Sequence, residues 1–362
     1  MIALQRAMHH AVDDVIAVCR DESIDCDIVK AGVIYAARSK PQFDRLRTHL
    51  ELEREWGFGE ADYRWLEHDE LAARVRVNAA SGAIYSPHCA RVQPAKLTHG
   101  VAAAVERLGV TIYEASPVTR IELREAHTIF GVVRATHVLR ATEGFTAGLE
   151  GQKRTMLPMN SSMIATEPLP ASFWDHVGWS GCELLSDGAH VYCYAQRTAD
   201  NRIAIGGRGV PYLFGSRTDE RGRTHDSTAR LLRAMVEQLF PLAAGVGIAH
   251  AWCGVLGVPR DWCTSVGLDR GTGLGFAGGY VGSGLTTTNL AGRTLADLVL
   301  GRESELTRLA WVNRTSRKWE PEPLRWLGVH GIYSLYRAAD RREQTIGTTS
   351  RFAKLAAIVS GQ

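Results

Sequence analysis

Apolar residues recur at helical spacing across residues 2–19, where Leu4, Met8, Val12, Val15, Ile16 and Cys19 share one side. The pattern then shortens. Ile28 to Ala37 reads as a strand, Pro41 opens a helix running to about Trp56, His68 to Val75 is a short helix, and Ala83 to Tyr85 marks another strand. Pro94 opens a helix through Val101, Val105 and Leu108 that Gly109 closes. Three short strands are predicted next, at Val110–Tyr113, Val118–Leu123 and Thr136–Ala141. Further on, His190–Gln196 and Arg202–Gly206 flank the turn residues Thr198-Ala199-Asp200-Asn201, a hairpin signature. A helix from Asp226 to Phe240 ends at Pro241, and Ala249–Val255 is a strand. Leu274–Ala277 reads as a strand, Gly278–Gly284 as a turn and Leu285–Leu300 as a helix; the tail 303–362, rich in Trp and Arg, reads as mostly helical.

Two styles interleave. Helix-then-strand alternation typical of an α/β layer fills 94–149 and 264–302, while 24–92 and 150–262 are mixed β with short connections, which favours antiparallel pairing. The expected fold class is α/β (α+β mixed), with a largely antiparallel unit (24–92 and 150–262) inserted into a cofactor-type unit (1–23, 93–149 and 263–302). Residues 303–362 form a C-terminal helical extension.

Composition narrows the partners. The chain has 362 residues, 45% hydrophobic and 22% charged, ordinary for a folded domain pair. The net charge of +3 comes from scattered basic residues and no Lys/Arg block stands out, which argues against nucleic acid. No apolar run approaches the roughly 20 residues needed to cross a bilayer, and Met1-Ile2-Ala3-Leu4-Gln5-Arg6 leads into no signal-peptide h-region. Seven cysteines at irregular spacing, without CxxC pairs, suggest reduced thiols and a cytoplasmic location. Metal-ligand spacing is absent among the histidines; His88, His190 and His250 read as ordinary polar or packed residues.

The densest glycine cluster is Gly271-Thr-Gly-Leu-Gly-Phe-Ala-Gly-Gly-Tyr-Val-Gly-Ser-Gly284. It holds a literal GxGxxG at Gly273, Gly275 and Gly278. In the dinucleotide fingerprint such glycines follow a strand and directly open a helix, with an acid about 20 residues on. Here Leu274–Ala277 is the strand itself, and Asp297 lies inside the following helix. The turn Gly278–Gly284 still offers close backbone approach and the unpaired N–H groups of a helix start. Three readings fit: a pyrophosphate site, a site stabilising negative charge at the N1–C2=O edge of a flavin, and a tight turn that only packs helix on strand.

The run Phe276-Ala-Gly-Gly-Tyr-Val-Gly-Ser-Gly-Leu-Thr-Thr-Thr-Asn-Leu-Ala-Gly-Arg-Thr-Leu-Ala-Asp-Leu-Val-Leu-Gly301 resembles the C-terminal flavin motif of the D-amino-acid-oxidase/glycine-oxidase superfamily, in its gamma-glutamylputrescine oxidoreductase-like branch. Arg140-Ala-Thr-Glu-Gly-Phe-Thr146, Leu157–Leu169, Trp252–Trp262 and Pro87–Leu97 resemble further family segments, in family order. The resemblance implies an FAD-dependent oxidoreductase that takes a hydride from the carbon bearing an amine nitrogen to flavin N5. The reduced flavin then passes electrons to O2 or another acceptor. It implies that Gly279, Tyr280, Val281, Gly282, Ser283, Gly284, Leu285 and Thr286 approach the isoalloxazine or ribityl chain, that Ala141 and Thr142 line the cofactor, and that the Val118 backbone meets the adenine. Arg260 at the end of the crossing strand is a candidate hook for a substrate carboxylate, or else part of a surface salt bridge. Arg208 is a candidate of the same kind. Trp252 and Tyr280 are candidate substrate contacts, with Tyr192 and Tyr194 on neighbouring strands; core packing is the commoner role for such aromatics.

Family members open with a βαβ unit carrying GxGxxG. The first hundred residues here hold only Gly32, Gly57, Gly59, Gly82 and Gly100, ungrouped. An N-terminally truncated chain with an incomplete Rossmann-like FAD-binding domain is therefore expected, with exposed apolar sheet edges. Two expectations follow. The chain is an active amine or amino-acid oxidoreductase, or it is an inactive remnant or split half that needs an N-terminal partner fragment to bind FAD.

Overall fold

A computed structural model describes residues 1–207, 212–218 and 221–350. In chain order the elements are α1 (Ile2–Asp21), β1 (Val33–Ala37), α2 (Lys40–Glu55), β2 (Arg64–Glu67), α3 (His68–Ala72), β3 (Gly82–Ser86), α4 (Pro94–Arg107), β4 (Val118–Glu122), β5 (Glu125–Thr128), β6 (Gly131–Arg134), β7 (Val138–Arg140), β8 (Leu157–Thr166), α5 (Ala171–Val177), β9 (Leu184–Asp187), β10 (Cys193–Arg197), β11 (Ile203–Gly207), α6 (Asp226–Leu239), β12 (Ile248–Val258), β13 (Ser265–Asp269), β14 (Leu274–Gly278), α7 (Gly284–Leu300) and α8 (Leu324–Ile346).

Eight strands form one sheet in the order β12-β8-β11-β10-β9-β1-β3-β2. All neighbours are antiparallel except β1 and β9. Side chains alternate between its faces. One face, with Ile34, Ala36, Ile164, Leu185, Ala195, Ile203 and Ile205, packs under α5 and α6 through Phe173, Trp174, Leu232 and Val236. Trp179 is fully buried in this layer. The other face carries Leu157 and Met159, which pack with Val258, Trp319, Val329 and Tyr333, so that α8 covers its β8–β12 end.

A small sheet, β13-β14-β7, stands beside the large one. α1 and α7 pack on it through Ala11, Leu290, Ala291 and Leu295, with Val266 and Ala277 from the strands and Trp311 from the tail. β7 pairs in parallel with β14, and its other edge has no partner strand among the described residues. A third sheet, β4-β5-β6, is largely exposed.

The expected strand Val110–Tyr113 does not form. These residues join no sheet, the Val110 N–H instead donating to Val105 O at 3.1 Å, and Val110 and Tyr113 are 52% and 75% exposed. A strand exists only where its backbone N–H and C=O groups meet another strand, and none lies alongside. The tail is less helical than its composition suggests: only Leu306–Arg308 and α8 are helical among its described residues. No described helix is long and apolar enough to cross a membrane.

Candidate functional site

The glycine turn lies between β14 and the start of α7. Gly279 adopts φ +78°, where a side chain is strained, and a Cβ there would lie 2.5 Å from Pro259. The turn is held by one carboxylate. Glu143, just past the end of β7, accepts the Gly279 N–H at 2.8 Å through Oε2 and the Tyr280 N–H at 3.0 Å through Oε1. The Gly257 N–H also reaches it. Gly257 leaves room for this contact, since a Cβ there would lie 2.6 Å from the carboxylate. Burial pushes the Glu143 carboxyl up, and the three backbone N–H groups oppose that shift. The sequence signal was present in Arg140-Ala-Thr-Glu-Gly-Phe-Thr146, but nothing in a linear motif shows that its acid reaches 136 residues ahead to organise the turn.

Beyond the turn, Gly282–Thr287 line one side of a cleft of about 580 Å³. The opposite sides come from α1 (Gln5, Met8, His9, Val12) and from Val33, Tyr35, Ser86 and His88. The α7 N-cap, Ser283, makes no side-chain capping bond, so the first N–H groups of α7 are uncapped by it. A Cβ at Gly282 would meet nothing within 4 Å.

A polar cluster closes one end of this cleft. His9 Nε2 lies 3.0 Å from the Tyr63 hydroxyl and 3.1 Å from Gln5 Nε2. His88 Nε2 pairs with Asp62 at 2.9 Å, and the two imidazoles stack with centroids 3.8 Å apart. Burial and the adjacent His88 lower His9 to about 4, so it is neutral at pH 7. Burial acts to raise Asp62, but hydrogen bonds from His88 and the Gly59 N–H, with the charge of His88, hold its carboxyl below its ordinary value. Burial pushes Tyr63 up to about 12. The His88–Asp62 contact is a direct hydrogen bond, and one ligand-type atom each from His9, Asp62 and His88 lie within 4.8 Å of one another. Sequence reasoning passed over this cluster, because its members lie up to 83 residues apart and only the fold assembles them.

The predicted residues separate into groups. Gly279 and Tyr280 are fixed by Glu143; Gly282, Ser283, Gly284, Leu285 and Thr286 line the cleft; and Val281 packs toward the Leu157–Met159 side of the large sheet. The Tyr280 hydroxyl is pushed up by burial. Ala141 and Thr142 lead into Glu143, and the Thr142 hydroxyl lies 2.8 Å from that of Thr146. Val118 begins β4 on the exposed third sheet, 37% exposed and away from the cleft lining. Trp252 of β12 pairs with Met163 of β8, six residues before Val258, so roughly 20 Å from the Arg260 end of the strand. Arg208 lies outside the described residues.

Arg260 faces a separate cavity of about 230 Å³ beneath α8, with Leu157, Met159, Trp262, Trp319 and Tyr333. Its Nε donates to both oxygens of Glu320 at 3.1 Å, and its guanidinium lies 5.1 Å from the centre of the Trp319 ring. The ion-pair reading therefore describes its Nε. Its terminal nitrogens make no hydrogen bond among the described residues.

The residues present fit one end of a flavin cofactor. The cleft offers glycine backbone, an open Gly282 and an uncapped helix start. A phosphate-cradling glycine turn after a strand, as an ADP moiety requires, is not found among the described residues.

Known proteins agree with this geometry. A family described as FAD dependent oxidoreductase matches residues 2–298. The chain is 29% identical over 287 residues to gamma-glutamylputrescine oxidoreductase of Escherichia coli K12, covering 77% of this chain and 63% of that protein. It is 28% identical over 299 residues to a probable oxidoreductase, OrdL, of Haemophilus influenzae, covering 79% and 64%. The chain thus spans somewhat under two thirds of the length of these curated relatives. The crystal structure of glycine oxidase from Geobacillus kaustophilus superposes with a TM-score of 0.71 at 21% identity, covering 85% of this chain and 82% of that one. The chain belongs to the family of FAD-dependent oxidoreductases.

Proposed function

We propose that this chain forms the ring-side half of an FAD-dependent oxidoreductase that oxidises the C–N bond of an amine or amino acid. The observation that carries this reading is the cleft at the start of α7, where Gly282–Thr286 present backbone and an uncapped helix end to its interior. Similarity to gamma-glutamylputrescine oxidoreductase and to glycine oxidase supports the amine and amino-acid substrate class. Bound FAD would supply the two-electron acceptor, and O2 or another oxidant would take the electrons onward.

The protein's part is positional. Glu143 fixes the turn, so the N–H groups of α7 point at one place without reorganisation. Arg260, anchored through Nε by Glu320, keeps its terminal nitrogens for a substrate carboxylate in the cavity beneath α8, whose Leu157, Met159 and Trp262 pack with Val281 of the glycine turn. His9 stays neutral and hydrogen-bonded, so it shapes the cleft without adding charge beside a cationic amine.

The open edge of β7 and the unpaired run 110–113 support a second element of the proposal. A βαβ unit carrying the ADP half of the site, on a partner fragment, would pair along this edge. The alternative that this chain alone is catalytically inactive rests on the same edge. The test is anaerobic reduction. The purified chain is loaded with FAD and mixed with candidate amines, with and without a βαβ fragment from a relative. Bleaching of the visible flavin band by an amine supports the reading; a bound flavin that no primary, secondary or amino-acid amine bleaches in either arm overturns it.

A further inference from the structure

The other side of the large sheet carries a second built cavity. Along β8, Leu157 and Met159 face the glycine-turn side, so Asn160 and Ser162 face α6. Between them and the segment leading into α6 lies a cavity of about 480 Å³. Its wall is pinned to β12: the Cys253 N–H donates to Gly222 O at 2.7 Å, and the Thr224 hydroxyl to Trp252 O at 2.5 Å.

The floor is polar. Ser162 and Thr228 are only 6% and 5% exposed, yet neither hydroxyl has a hydrogen-bond partner among the described residues. The buried side-chain oxygen of Asn160 is likewise without one. The Asn160 oxygen is a buried atom left unpaired, which native interiors rarely allow, and the two hydroxyls border the cavity. Their amide and hydroxyl groups can turn donors toward a ligand.

The mouth is cationic. Arg217, Arg221 and Arg223 converge on it, and no carboxylate is among the described lining residues. Arg223 makes no hydrogen bond or ion pair among the described residues, and Arg217 donates only through Nε, to Phe214 O. His225, the N-cap of the 14-residue α6, makes no side-chain capping bond and lines the same space, so the positive end of this helix adds to the field. Asp226 in the first turn is exposed and outside the lining.

We infer that this cavity binds the phosphoryl group of a small phosphorylated molecule. Arg217, Arg223, the hydroxyls and the amide offer more donors than the two oxygens of a carboxylate can accept, whereas three terminal phosphoryl oxygens can use them. The volume leaves room for an organic remainder beyond the phosphate. The site is independent of the flavin-side cleft, from which the sheet separates it.

The test is calorimetric titration of the full chain with inorganic phosphate and with ribose 5-phosphate. Saturable binding of the ester, tighter than free phosphate, is expected. An Arg217→Gln/Arg223→Gln double variant should weaken it by about tenfold or more. Ser162→Ala, a buried change checked for folding by its melting curve, should weaken it as well. Arg230→Gln, an exposed α6 arginine outside the cavity, should leave it unchanged. Equal binding of both anions keeps the phosphoryl site and identifies free phosphate as its ligand. No binding of either anion overturns the inference. Equal weakening by Arg230→Gln and by the double variant also overturns it, because the effect is then net charge alone.

Discussion

Single residues decide the geometry of the α7 cleft, and Glu143 does most. Its carboxylate accepts from Gly279, Tyr280 and Gly257, joining the end of β7, the end of β12 and the glycine turn at one point. Glu143→Gln replaces one accepting oxygen with an NH2 that faces a backbone N–H. The loss expected is about 2 kcal/mol, the scale of hydrogen bonds to a charged group, read as a lower urea midpoint with unchanged m-value. An unshifted midpoint would show that the turn holds itself. His9 makes a prediction about pH. Below about pH 6.5 the unfolded chain protonates this imidazole, while the folded one resists until about pH 4. Its contribution to stability is therefore full above 6.5 and lost as pH falls toward 4. His9→Gln should flatten the decline in melting temperature between pH 6.5 and 5. Equal slopes in both proteins would remove His9 as the cause. Asp62, held low, acts in the same direction, at pH values below its ordinary carboxylate range.

At the scale of elements, long periodic helices were readable directly. α1, α2, α4, α6 and α7 appear within two residues of the expected ends, because amphipathic spacing and Pro, Gly or glycine-turn boundaries act locally. The hairpin of β10 and β11 was readable through its turn residues. β5, β6, β8, β9 and α5 were not. β8 is buried on both sides along much of its ten residues, so it lacks the alternation of a half-buried strand. Val110–Tyr113 failed in the opposite way: the residues favour a strand, but pairing is a property of the neighbour. The amides of Thr111–Tyr113 and those of the β7 edge should exchange rapidly with solvent in the isolated chain, and become protected when a βαβ fragment docks. Hydrogen exchange measures both. Strong protection in the isolated chain would mean the edge is already covered.

Across the whole molecule, the eight-stranded sheet is covered by α5 and α6 on one side and partly by α8 on the other. The α7 cleft sits where α1, α7 and that second face meet. The turn was legible because seven consecutive residues carry it. Arg260's Glu320 partner and the His9–Asp62–His88 cluster were not, because they come together only through chain crossings in three dimensions. The central claim is that the α7 cleft holds the flavin ring. The most direct measurement is flavin titration of the purified 362-residue chain, following the visible spectrum with FAD and with riboflavin, which lacks the ADP half. A saturable spectral change is predicted for both ligands, with affinities within about tenfold, or 1.4 kcal/mol, of each other, and abolished by Gly282→Trp, which fills the cleft. No spectral change with either ligand, or undiminished binding in Gly282→Trp, would contradict the account.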